Sequence, residues 1–137
     1  MIFYEIKINY TRQTGEDNPA SVNEIYFVEG LTIADVEERL LGEIQRYISG
    51  EWETKSCKQV QIYDYIANPT ADKWYKARVE LITLDNDKET RKAVNVYAQA
   101  DSINEATKAV HQAMGNDDFE VASIARTKLI DIIRAVN

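Results

Sequence analysis

Cys57 and His111 are the single cysteine and the single histidine of this 137-residue chain. A thiol and an imidazole brought together would make a nucleophile and its base. Cys57 shares the strand phase of Gln59 and Gln61, and His111 follows Val110 on a helix flank. The plainer reading is a semi-buried small residue and a surface histidine. Asp85, Asp87 and Glu89 crowd around Asn86 and could gather a hard cation. The run lacks the glycine and the distal glutamate of a calcium loop, and Asp and Asn are what tight turns select. A third constellation is spread over two distant stretches. Phe3 and Lys7 match Trp74 and Arg78, with Lys76 opposite Glu5 in the alignment, and Phe27 matches Tyr97. Aromatics interleaved with cations can stack bases and track a phosphate chain.

These residues match because the chain is written twice. Phe3-Tyr4-Glu5-Ile6-Lys7-Ile8 returns as Trp74-Tyr75-Lys76-Ala77-Arg78-Val79, an offset of 71 residues from Tyr4 to Tyr75. The stretch from Val28 to Val36 returns from Ala98 to Ala106 at an offset of 70. One residue of slip is what hairpin loops of unequal length produce. A repeat of this size is one supersecondary unit used twice, not a solenoid.

In the first copy Ile2, Tyr4, Ile6, Ile8 and Tyr10 alternate with Phe3, Glu5, Lys7 and Asn9, the pattern of a strand with one buried face. Gln13 to Pro19 has turn chemistry, and Glu24 to Val28 forms a second strand. Thr32 with Asp35 reads as a capping-box variant opening a helix along Ile33, Val36, Leu40, Ile44 and Tyr47, with Gly50 as its stop. A third strand lies within Lys55 to Ile66. In the second copy Tyr75, Ala77, Val79 and Leu81 line the inner face, then Val94, Val96, Ala98 and Ala100. Ser102 with Glu105 is a full capping box, Ile103, Ala106, Val110 and Ala113 face the core, and Gly115 closes the helix. Phe119 to Ile124 gives the last strand, and the tail from Lys128 to Val136 suits a short helix.

The expected fold is therefore α+β: two tandem ββαβ repeats, about 1–66 and 73–133, in a single domain 1–137. Their strands merge into one antiparallel-rich sheet with two helices packed on one face. Phe3, Phe27, Trp74 and Tyr97 then stand on the open face beside Lys7, Lys76 and Arg78. Such a face binds single-stranded nucleic acid, meets a protein partner, pairs with a second subunit, or simply stabilises the sheet.

Composition narrows the classes. A net charge of −7 disfavours bulk attraction to nucleic acid, although local basic patches remain compatible with it. One cysteine permits no intrachain disulfide and, with one histidine, no zinc site of the cysteine–histidine type. No phosphate loop, nucleophile elbow or paired-histidine metal motif is written here. No apolar run approaches the roughly 20 residues that span a bilayer, so no membrane partner is expected. The expectation is a protein that starts at Met1, stays in the cytosol, uses no metal or cofactor, and is not an enzyme.

Trp74-Tyr75-Lys76, Leu81-Ile82-Thr83-Leu84-Asp85, Ile48-Ser49-Gly50-Glu51 and Glu120-Val121-Ala122-Ser123-Ile124 occur in this order along the chain. In these blocks the chain resembles a domain-of-unknown-function family of small proteins from Bacteroidetes bacteria and their phages or mobile elements. The resemblance implies a setting, phage or mobile-element biology in a bacterial cytosol, not a set of functional residues. Small proteins of that setting manage single strands or block a host defence. The expected function is thus a non-enzymatic binding protein, homodimeric through the aromatic face, engaging single-stranded nucleic acid. The alternative is a protein-interaction or anti-defence factor using the acidic surface with Glu37, Glu38 and Glu43.

Overall fold

The computed structural model describes residues 2–12, 20–46, 48 and 50–135. The chain is α+β with two helices and two four-stranded mixed sheets, in two compact units. Unit 1 comprises Met1–Gln61 and Lys128–Asn137, and unit 2 comprises Ile62–Thr127. Two sheets therefore replace the single one expected, each with its own helix.

In unit 1, β1 (Phe3–Arg12) and β2 (Ala20–Glu29) form an antiparallel hairpin, followed by α1 (Ile33–Ile44) and β3 (Trp52–Val60). β4 (Asp64–Ile66) comes next in the chain but belongs to unit 2. In unit 2, β5 (Lys73–Asp85) and β6 (Lys88–Ala100) form the hairpin, followed by α2 (Ile103–Met114) and β7 (Phe119–Arg126). β8 (Leu129–Ile133) then returns to unit 1. The sheet orders are β3-β1-β2-β8 and β4-β6-β5-β7. Each sheet thus completes itself with a parallel strand from the other repeat, β8 on β2 and β4 on β6. Each compact unit crosses the repeat boundary drawn from the sequence. The tail is accordingly a strand, not a helix: Ile132 and Ile133 are β-branched and pair with Phe27 and Val28 of β2.

The two units agree in detail, which is compatible with a tandem repeat. Tyr4 pairs with Val28 and Ile6 with Tyr26, as Tyr75 pairs with Ala98 and Ala77 with Val96. The pairing with the third strand slips between Lys7 and Ile8 in one unit and between Arg78 and Val79 in the other, the equivalent place. Thr32 and Ser102 both cap helices. The Asp35 amide donates to Thr32 Oγ1 at 3.1 Å and the Glu105 amide to Ser102 Oγ at 3.2 Å. The returning bonds run from the Leu31 amide to Asp35 Oδ2 and from the Asp101 amide to Glu105 Oε2, so both ends satisfy two backbone donors.

Burial follows the strand alternation on the helix side. Ile6, Ile8 and Val28 meet Val36, Leu40 and Ile44 in unit 1, while Ala77, Val79 and Val96 meet Ala106, Val110 and Met114 in unit 2. Each fully buried valine, leucine or isoleucine among them contributes about 1.5–3 kcal/mol. Helix α1 ends at Ile44 with Gln45 as its cap, before the expected stop at Gly50. Turning continues locally, the Ile48 amide donating to the Ile44 carbonyl at 3.1 Å. In α2 it is Met114 that is buried, while Ala113 and Ile103 are exposed; Gly115, with φ of 61°, closes the helix as expected. The loop from Gln13 to Pro19, with Glu16 and Asp17, and also Tyr47, Ser49 and Val136 lie outside the described residues.

Candidate binding surfaces

Side chains that point away from the helices come from the opposite strand phase, and here the structure departs from the expected open aromatic face. Phe3, Phe27, Trp74 and Tyr97 are 5%, 4%, 1% and 4% exposed, and none belongs to either helix-side core. They are covered and form no stacking platform at the surface. Both strand phases carry large apolar groups here, as in Phe3-Tyr4 and Trp74-Tyr75, which marks strands buried on both faces. Trp74 Nε1 is buried without a hydrogen-bond partner among the described residues. The cations of the set fare differently: Lys7 is half-buried, and Lys76 and Arg78 are exposed. With the aromatics covered, the argument for a homodimer through them has no support on these faces.

The other candidates resolve by geometry. Cys57 lies in unit 1 and is half-buried, and burial, helped by the Glu37 carboxylate, pushes its thiol above the ordinary range. A raised thiol is a poor nucleophile at neutral pH. His111 lies in unit 2, exposed in the last turn of α2, with its ring 5.2 Å from that of Phe119. The Asp85-Asn86-Asp87 stretch is the hairpin turn between β5 and β6. Asn86 and Asp87 have φ of 50° and 63°, the left-handed pair that a two-residue hairpin loop demands. Glu89 reaches Arg91 at 3.5 Å. Arg91 also holds Glu80 at 2.9 Å and Glu120, so one guanidinium gathers three carboxylates across neighbouring strands. Among the described residues no group of three or more His, Cys, Asp or Glu side chains could hold a metal ion.

The α1 surface was read from the sequence only as acidic. Glu37, Glu38 and Glu43 are exposed, Glu37 toward Cys57 of β3 and Glu43 toward Asp131 of β8, and Leu31, Ile33 and Leu41 are also exposed, at 78%, 47% and 45%. Arg39, the one cation within α1, is half-buried and donates to the Glu29 carbonyl. The visible helix is therefore acidic and apolar together. In α2 the equivalent positions, offset by 70, are Asp101, Ile103, Thr107, Lys108, His111 and Ala113. The two helices share caps, core spacing and an exposed isoleucine, Ile33 and Ile103, but differ at the other outer positions.

The family model for a domain of unknown function, DUF4494, matches residues 2–135. The chain belongs to this family. No curated protein and no solved structure matches it. No helix among the described residues of this family member is long and apolar enough to cross a membrane.

Proposed function

We infer that this DUF4494 protein is a non-enzymatic binding protein that engages another protein through the outer face of α1. The observation that carries the reading is the divergence of two otherwise equivalent helices. Their caps and buried positions correspond, and Ile33 and Ile103 are alike exposed, so packing does not explain why one presents Leu31 and Leu41 with Glu37 and Glu38 where the other has Asp101, His111, Thr107 and Lys108. Apolar groups rimmed by like charges suit a partner segment with apolar anchors and lysines or arginines around them. A phage or mobile-element setting, implied by the sequence resemblance, accords with a small factor that acts by occupying a host or phage protein.

The test is a titration of the full chain with a fluorescent basic amphipathic peptide and with its acidic counterpart. The basic peptide binds and salt weakens it. Glu37→Lys with Glu38→Lys abolishes binding, and Leu41→Asn weakens it at unchanged charge. Equal binding of both peptides, or indifference to Leu41→Asn, sinks the reading.

The single-strand reading loses its stacking residues to burial but retains exposed Lys76 and Arg78, whose surroundings define a different and narrower chemistry.

A further inference from the structure

On β5 the face turned away from α2 carries Trp74, Lys76, Arg78 and Glu80, because Tyr75, Ala77 and Val79 take the phase that packs on the helix. The register fixes their neighbours. Lys76 lies between Tyr97 and Ala125, Arg78 between Asn95 and Ser123, and Glu80 between Ala93 and Glu120. Lys76, Arg78, Ser123 and Ala125 are exposed. Same-phase neighbours along a strand stand about 7 Å apart, so two cations sit side by side with a hydroxyl across from one of them.

The carboxylates on this sheet face are already engaged. Arg91 holds Glu80 and Glu120, and neither Lys76 nor Arg78 makes an ion pair with a described residue. Around Arg78 the side chains are donors, Ser123 and Asn95, and no carboxylate stands directly across from either cation. Unit 1 treats the same positions in the opposite way. Glu5 replaces Lys76, with Lys58 directly across from it and Lys7 two residues on, and Ser56 stands across from Lys7. The register of that unit alternates charges of opposite sign, although no ion pair forms among Glu5, Lys7 and Lys58, while unit 2 sets two positive charges side by side and exposed. Like charges on adjacent same-face positions are unfavourable without a counter-charge.

We propose that Lys76, Arg78 and Ser123 form a binding site for a phosphate group, carried by a nucleotide or by a single nucleic-acid strand. The guanidinium takes two phosphate oxygens, the ammonium supplies a point charge, and the hydroxyl donates a third bond. Recognition is electrostatic and needs no stacked base, which fits the burial of Trp74 and Tyr97. Nothing in this site depends on the α1 surface.

The experiment titrates the full chain at low salt with inorganic phosphate, with a mononucleotide and with labelled oligo-dT. Amide resonances follow the first two ligands and anisotropy follows the third. The expected result is movement of the Arg78 and Ser123 amides and oligo-dT affinity that falls with salt. The double variant Lys76→Gln, Arg78→Gln flattens the logarithmic salt slope for oligo-dT by about 1.4, two contacts at about 0.7 each on a single strand. Lys7→Gln leaves it unchanged. Binding of oligo-dT without response to the small phosphates identifies a strand as the source, and competition by the mononucleotide identifies a small ligand. Absence of response to all three, or an unchanged slope in the folded double variant, overturns the site.

Discussion

Units 1 and 2 solve the same packing problem with different volumes. Where the sheet meets the first turn of the helix, unit 1 has Gly30 under Val36 and unit 2 has Ala100 under Ala106, equivalent positions at an offset of 70. A Cβ on Gly30 would meet Val36 Cγ2 at 2.9 Å and the Asp35 Cβ at 3.3 Å, so the valine is admitted by the glycine. Unit 2 moves a methyl group to the strand and removes two from the helix. Deeper in the core, Ile6, Ile8 and Leu40 stand in place of Ala77, Val79 and Val110, so there unit 1 is the larger on strand and helix alike. Backbone register, bulge and caps stay fixed while the volume moves. Interiors are packed closely enough that the tight contact at Gly30 and Val36 requires such compensation.

The largest expected effect tests where unit 1 concentrates its stability. Leu40→Ala removes a fully buried side chain and costs about 2–5 kcal/mol. Val110→Ala removes fewer carbons at the equivalent site and costs less, at about 0.8 kcal/mol per methylene plus a cavity contribution. Urea unfolding of both variants measures the difference. Equal losses would mean that the larger core of unit 1 is not what stabilises it.

Gly30→Ala is next, at about 1–3 kcal/mol, because the new methyl overpacks against Val36. The decisive variant is the double Gly30→Ala, Val36→Ala, which writes the unit 2 solution into unit 1. It should lose less than the two single changes together, a coupling a double-mutant cycle reads directly. Strict additivity would make the correspondence with Ala100 and Ala106 coincidental.

The caps rank third. Thr32→Ala and Ser102→Ala should each cost about 1 kcal/mol, since each removes an acceptor for an amide of the first turn. Near-equal values measured by thermal or urea unfolding would show the two ends as energetic as well as geometric equivalents.

Much of this arrangement was legible because it is local. Thr32 with Asp35 and Ser102 with Glu105 announce caps within four residues, and the alternation of Ile6 and Ile8 or Ala77 and Val79 announces an inner face. What was missed depends on distant pairing. Leu129, Ile132 and Ile133 fit helical spacing as well as a strand, and only the partnership with β2 decides between them. Asp64–Ile66 is three residues long, too short for any period to register. The burial of Phe3, Phe27, Trp74 and Tyr97 had a signal that alternation alone discards, since each adjoins a buried or half-buried apolar residue on the other phase. The α1 surface was half visible: the glutamates could be counted, but the exposure of Leu31, Ile33 and Leu41 among them is a property of the fold.

The smallest effect lies where the two borrowed strands correspond. Asp131 pairs with Tyr26 and Asp64 with Val96, and each accepts the amide of the next residue, Ile132 at 2.9 Å and Tyr65 at 2.8 Å. The difference is Glu43, whose counterpart in α2 is Ala113. Partial burial, then the Glu43 carboxylate, pushes the Asp131 carboxyl above its usual range, against the opposing pull of the Ile132 amide. A carboxyl raised in the folded state holds its proton to higher pH there than in the unfolded chain. Its contribution is therefore favourable below the unfolded value of about 3.9 and is lost as pH rises through the folded value. Asp131→Asn keeps an acceptor for Ile132 and removes the charge, so it should stabilise at neutral pH and lose that advantage on acidification below about 4. The gain is no more than roughly a few tenths of a kcal/mol, because the side chain is largely solvated. Glu43→Gln should recover part of it. Melting temperatures across pH 3–8 would decide it, and a benefit of Asp131→Asn that persists unchanged at the acid end would show that repulsion from Glu43 is not its cause.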